Sequence, residues 1–178
     1  EERGKEISKK YGARWESTAD KVINDPNIDI IDICYPTTLH KEYVIKASKA
    51  GKHVFCEKPI ARTIAEAEEV ANQIEKSKTT FMVGHVCRFF PDIVAIKQLL
   101  VQGKVGKVGV ARSSRAGHFP HGTKDWYGVM SVSGGVVLDM IIHDFDFMNW
   151  FFGKPKRVFA RGLYKNSRDI KHFDYALV

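Results

Sequence analysis

Three cysteines in 178 residues leave no disulfide framework for the fold to rest on. Cys34, Cys56 and Cys87 are odd in number and lie in apolar surroundings, so they read as reduced core thiols. No apolar run approaches the roughly 18 residues that a membrane span needs, and no signal-peptide pattern opens the chain. Internal repeats and low-complexity segments are absent as well, which excludes solenoid architectures. Acid is in deficit: 28 Lys and Arg face 21 Asp and Glu, a formal net charge of +7. The lysines are scattered along helices rather than clustered with aromatics, so nucleic acid is not an expected partner. What is present, 44% hydrophobic and 28% charged residues, describes a globular cytoplasmic protein with enough apolar material for a core.

Strand-length apolar runs alternate with amphipathic segments. "KEISKKYG" predicts the end of a surface helix closed by Gly12, and "STADKVIND" a short helix capped by Ser17 or Thr18. The β-branched run "IDIIDICYP" predicts a strand halted by Pro36. "TTLHKEYVIKASKAG" follows as a helix capped by Thr37 or Thr38, then "KHVFCEKP" as a strand halted by Pro59. "TIAEAEEVANQIEKSK" predicts a further helix, with Thr63 as cap and Ala67, Val70 and Ile74 facing inward. "TTFMVGH" is a third strand. This order is the βαβ signature of a parallel sheet with helical crossovers. The strands lack clean alternation, which predicts a doubly wound α/β sheet covered on both faces. Beyond Arg88 come a helix over "DIVAIKQLLVQG" and a glycine-punctuated strand in "GKVGVARSSRAG". A long buried helix from Gly134 to Gly153 and strand-like pieces in "RVFARGLY" and "DYALV" complete the chain. The expected organisation is a first α/β domain over 1–88 and the start of an α+β domain over 89–178.

Two stretches carry chemistry. Open parallel sheets bind ligands outside the carboxyl ends of their strands, and there "CYPTTLH" and "CEKP" place polar residues. Glu57 and Lys58 follow directly on "HVFC", at the rim of the sheet. Taken alone, Lys58 reads equally well as a solvated strand-end lysine. Pro59 biases it to an extended conformation, with a cis peptide as the minority state. The second stretch is "GGVVLDMIIHDFDFMNWFFG". On one continuous helix Asp139, His143, Asp146 and Trp150 share a stripe, at spacings of four, three and four. A carboxylate on an otherwise apolar helix needs a partner, a cleft or a metal. The plainer reading is a core histidine satisfied by Asp139. Gly134 and Gly135 at the helix start permit close approach of backbone or ligand.

Taken in order, "IDICYPTTLH", "AGKHVFCEKPIA", "VGHVCRFFP", "GKVGKV", "DWY" and "SGGVVLDMIIHDFDFMNWFFG" make a constellation. It resembles the family of NAD(P)-dependent sugar and polyol oxidoreductases typified by glucose-fructose oxidoreductase, inositol 2-dehydrogenase and the MocA-type proteins. The similarity covers almost the whole chain, and "GKHVFCEKP" with "GG…D-x-x-x-H-D-x-D" is its most specific pair. The resemblance implies a Rossmann domain, then a domain with a large open sheet used for homo-oligomerisation, as a dimer or tetramer. It implies NAD or NADP as cofactor and a sugar or cyclic polyol as substrate. It implies that Lys58, Asp139 and His143 line the catalytic site. Tyr35, Pro36, Thr37, His40, Glu57, Lys58 and Arg88 match segments that approach the cofactor. His143 then suits the base role, Asp139 would fix its tautomer, and Lys58 would donate to the reacting oxygen. Arg115, His118, His121 and Trp126 precede the long helix and are candidates for polyol contact; no metal is expected.

The family's glycine-rich turn and the residue that chooses NAD or NADP are missing from the sequence. The chain is therefore expected to be an internal fragment, inactive alone and unable to bind a dinucleotide normally. Three other readings use the same residues. A metal-dependent hydrolase would exploit the ligand spacing of Asp139 and His143, but further histidine ligands are lacking. A nucleotide-sensing regulator would keep the fold without turnover. An NAD-dependent glycosidase would work by transient oxidation.

Overall fold

The computed structural model describes residues 1–178 except 119, 121–122, 164–172 and 174. It opens with α1 (Glu2–Tyr11), capped by Gly12 as expected, and the short α2 (Ala19–Ile23). Thr18 stands at the N-cap of α2, without a side-chain capping bond. Then come β1 (Ile30–Ile33), α3 (Thr37–Lys49), β2 (His53–Cys56), α4 (Ile64–Lys76) and β3 (Phe81–Val83). The order β1-β2-β3 is parallel throughout, the Rossmann-like arrangement that the βαβ pattern predicts. At α4 the cap is reciprocal: the Thr63 hydroxyl accepts from Glu66 N–H, and the Glu66 carboxylate accepts from Thr63 N–H. At α3 the expectation is corrected. Pro36, not Thr37 or Thr38, is the N-cap. Its ring fixes φ while ψ is extended, at 146°, so the chain enters the helix only at Thr37.

Sequential strand order with right-handed crossovers puts both crossover helices on one face of the sheet. α3 and α4 pack together on that face and bury Ile31, Ile33, Val54 and Cys56 with Val44, Ala47 and Val70. The opposite face carries Ile30, Asp32 and Met82; Ile30 is 63% and Met82 44% exposed. This corrects the expected two-sided cover. Among the described residues the strands do alternate, exposed then buried along β1, because only one face has helices against it.

After β3 a 3₁₀ turn (Val86–Phe89) leads into α5 (Pro91–Val101). Residues 104–117, expected to hold a strand, form none and are exposed. A strand persists only through a ladder with a neighbour. Among the described residues β4 (Arg161–Leu163) pairs with β5 (Tyr175–Leu177) and neither runs beside 104–117.

The helix expected from Gly134 to Gly153 is two pieces, α7 (Gly135–Asp139) and α8 (Ile142–Phe152), preceded by α6 (Met130–Ser133). Gly134 and Gly135, at φ +77° and +81°, turn α6 into α7 through a region where a side chain would be strained. At the break after Asp139 a side chain takes the freed carbonyl. Lys58 Nζ lies 2.7 Å from the Asp139 carbonyl, the oxygen that would accept from His143 N–H in an unbroken helix. The Val136 carbonyl instead accepts from both Met140 and Ile141 N–H, at 2.9 and 3.2 Å. Nor is α8 buried all round: only Asp144 and Phe147 are fully covered, and Phe152 is exposed. No described helix is long and apolar enough to cross a membrane.

Candidate active site

Lys58 follows β2 and precedes Pro59, to which it is joined by a cis peptide. Its ammonium donates to the Asp139 carbonyl at 2.7 Å and to Asp139 Oδ1 at 3.2 Å. Both side chains are largely covered, at 13% and 4% exposure. Asp139 Oδ2 and His143 Nδ1 are buried beside them with no hydrogen-bond partner. The expected bond from Asp139 to His143 is therefore not made. The helix break takes Asp139 off the stripe of His143 and turns its carboxylate to Lys58. A buried acceptor without a donor costs about 1–3 kcal/mol, so these two atoms stand out beside the paired Lys58 ammonium and Asp139 Oδ1.

Burial and charges of both signs act in the corner. Burial, then the charges of Lys58 and Arg115, bring His143 down to about 4, with His85 adding and Asp144 opposing. It is a neutral imidazole through the neutral range, which revises the near-neutral titration expected of an open histidine. His85 is lowered too, chiefly by burial, against the pull of Asp146. Its Nδ1 is 3.7 Å from Asp146 Oδ2, beyond hydrogen-bond range, and has no other partner. Tyr127 closes another side; burial, then the nearby Asp139 and Glu57 carboxylates, push its phenol up. His85 and Tyr127 stand inside the motifs "VGH" and "DWY", but nothing in their spacing aims them at Lys58.

Two expected cofactor residues are committed elsewhere. His40 is 1% exposed, with Nδ1 2.7 Å from the Pro59 carbonyl and Nε2 2.7 Å from the Tyr35 carbonyl. It lies behind the rim rather than on it, because both ring nitrogens are taken by backbone. Arg88 grips Asp146 with two bonds, at 2.7 and 2.6 Å, and lies over the Trp150 ring. The remaining rim residues are available. Tyr35 is 41% exposed after β1, the Thr37 hydroxyl is buried at the start of α3 without a partner, and Glu57 accepts Lys58 N–H.

On the substrate side, Arg115 is ion-paired with the buried Asp144, which also accepts from Ser113. Its charge reaches His143, but its hydrogen bonds pin residues 113–115 to α8. Trp126 is half-buried and stacked on Tyr127 at 3.9 Å between centroids. His118 is exposed, and His121 lies outside the described residues. Cys34 is exposed after β1, not in the core with Cys56 and Cys87. A cleft of about 340 Å³ runs along the free edge of β1 past Asp32, Cys34 and Tyr35, away from Lys58 and His143. The orphaned buried atoms, not the volume of a cavity, mark the corner. Among the described residues no three His, Cys, Asp or Glu are grouped to hold a metal ion.

Known proteins resemble this chain in sequence and fold. Residues 1–85 match the model of an oxidoreductase family with an NAD-binding Rossmann fold, and residues 93–178 match a GFO/IDH/MocA C-terminal domain. The chain is 34% identical over 164 residues to myo-inositol 2-dehydrogenase of Thermotoga maritima, covering 91% of this chain and 48% of that protein. It is 34% identical over 161 residues to trans-1,2-dihydrobenzene-1,2-diol dehydrogenase of Mus musculus, covering 88% and 45%. A levoglucosan dehydrogenase solved with NADH and levoglucosan superimposes with a TM-score of 0.79 at 27% identity, over 92% of this chain and 45% of that one. The chain thus spans about half the length of the relatives it matches.

Proposed function

This chain belongs to the GFO/IDH/MocA oxidoreductase family, and we propose that the whole protein oxidises a secondary alcohol of a sugar or cyclic polyol with NAD or NADP. One observation carries the reading. Lys58 is paired with Asp139 across 81 residues of sequence, beside Asp139 Oδ2 and His143 Nδ1, which are buried and find no partner in the protein. A polyol brings adjacent hydroxyls that satisfy both.

The rim fits a dinucleotide. The carboxyl ends of β1 and β2 meet the first turn of α3, where the Thr37 hydroxyl is an unpartnered buried group, and open parallel sheets take their ligands at such ends. NAD(P), when bound, supplies the hydride acceptor. The chain's own residues do the rest. Lys58 donates to the reacting oxygen and stabilises its developing negative charge. His143, neutral at working pH, accepts the hydroxyl proton, and its low pKa lets it release that proton readily. Asp139 steers the Lys58 ammonium and receives a neighbouring hydroxyl on its free oxygen. Tyr35, Pro36, Thr37 and Glu57 border the cofactor, while Arg115 and Trp126 border the substrate. In this reading the first domain ends near residue 88, and the second assembles a cytoplasmic homodimer or tetramer.

The test is turnover. The whole protein, given NAD and then NADP, is screened against inositols, aldoses and their keto forms by the absorbance of reduced nicotinamide. Reduction of cofactor by a cyclic polyol or aldose is expected. Cofactor binding without turnover on any of them would make the protein a regulator and overturn the reading.

A further inference from the structure

His40 has no part in the chemistry above, yet it is an ionisable side chain only 1% exposed. Its ring stands on α3. Nε2 reaches the Tyr35 carbonyl in the loop that leaves β1, and Nδ1 reaches the Pro59 carbonyl in the loop that leaves β2, each at 2.7 Å. A carbonyl oxygen only accepts, and a neutral imidazole has one N–H, so in either tautomer the ring donates to one of the two carbonyls. Packing does not explain this arrangement. An apolar ring of the same size would fill the space and leave both carbonyls without a donor from α3. The residue before Pro59 is Lys58, whose ammonium must reach Asp139 on α7 at 2.7 and 3.2 Å. The end of a long flexible side chain holds a position only if its own backbone is held.

We propose that His40 is a positioning residue. Its ring, held on α3 between the carbonyls of Tyr35 and Pro59 and donating to one of them, fixes the loop after β2 so that Lys58 meets Asp139. The consequence for turnover rests on the dehydrogenase reading; the contacts of the ring and the placement of Lys58 do not.

The experiment uses the whole protein and the variants His40→Phe and His40→Gln, with circular dichroism as the check on folding. Acetic anhydride labelling read by mass spectrometry reports the accessibility of each lysine. Lys58 is compared with the exposed Lys154, and with Lys52, which is buried on the Asp25 and Ile28 carbonyls far from these loops. In His40→Phe, Lys58 labelling should rise about tenfold, the weight of roughly one hydrogen bond, while Lys52 stays protected. His40→Gln, which keeps an amide donor, should fall between His40→Phe and the wild type, and it serves as the test if His40→Phe does not fold. Where the protein turns over, kcat should fall with KM nearly unchanged. Unchanged Lys58 labelling in a folded variant overturns the proposal, and so does an equal rise at Lys52, which reports general loosening. Labelling needs no turnover, so a wild type that reduces no cofactor sinks the dehydrogenase reading alone.

Discussion

A neutral histidine beside a lysine ammonium is the unusual pairing in this protein, and its protonation has two measurable effects. His143 titrates at about 4 when folded, against about 6.5 for an open histidine. Between those values the unfolded chain binds more protons than the folded one. Stability therefore rises with pH through that window and is lost as pH falls through it. His85, also lowered, acts with the same sign. Melting temperatures measured from about pH 4 to about 6.5 should climb, and His143→Gln should climb less steeply. Equal slopes would mean that His143 titrates normally. The second effect is on rate. His143→Ala should lower kcat by roughly 10²–10⁴-fold, the range for a lost acid–base group, with cofactor affinity hardly changed. Loss of cofactor binding with normal turnover per bound cofactor would remove His143 from the base role.

The helices and strands show which kinds of information the sequence holds. β1, β2, β3, α3 and α4 follow the apolar runs and breakers closely, because their cores are local: each helix lies on the strands that flank it. Thr63 as the cap of α4 was legible for the same reason, though not its reciprocal bond with Glu66. The break between α7 and α8 was not, since there Lys58, 81 residues away, takes the Asp139 carbonyl. The contacts of His40 were not legible either, because sequence shows which loop a residue joins but not which backbone oxygens it meets. Lys58, Asp139 and His143 were found through a family resemblance; spacing alone left His143 as a possible core residue. If Lys58 causes the break, Lys58→Ala should return the Asp139 carbonyl to the helix. Hydrogen exchange at the His143 amide should then slow; faster or unchanged exchange would place the cause elsewhere.

Four polar contacts made by the segments after residue 130 share one direction. Lys58 donates to Asp139, Arg62 to the Ser131 carbonyl, Arg88 to Asp146 and Lys97 to the Trp150 carbonyl. Each donor is a cation from the first 101 residues, and each acceptor lies on or beside the helices after residue 130. Lys58 is the one whose charge also acts on His143, in the proposed active site, so its replacement tests the whole assembly. Lys58→Ala should abolish most turnover while circular dichroism stays near normal. Lys58→Arg should not restore it, because the broad guanidinium fork cannot occupy the place of a compact ammonium. Near-normal turnover in Lys58→Arg would reduce the residue to a generic positive charge.

The ordered sheet has a consequence in time. Pairing β1 with β2 joins Ile30 to His53, a separation of 53 − 30 = 23 residues, whereas Lys58 and Asp139 are 81 apart. By loop-closure entropy the longer closure costs about 1 kcal/mol more. During synthesis, at roughly 5–20 residues per second, the sheet is complete several seconds before Asp139 is added. For that interval Lys58 has no Asp139 to pair with, so the cover over its ammonium is among the last things the chain acquires.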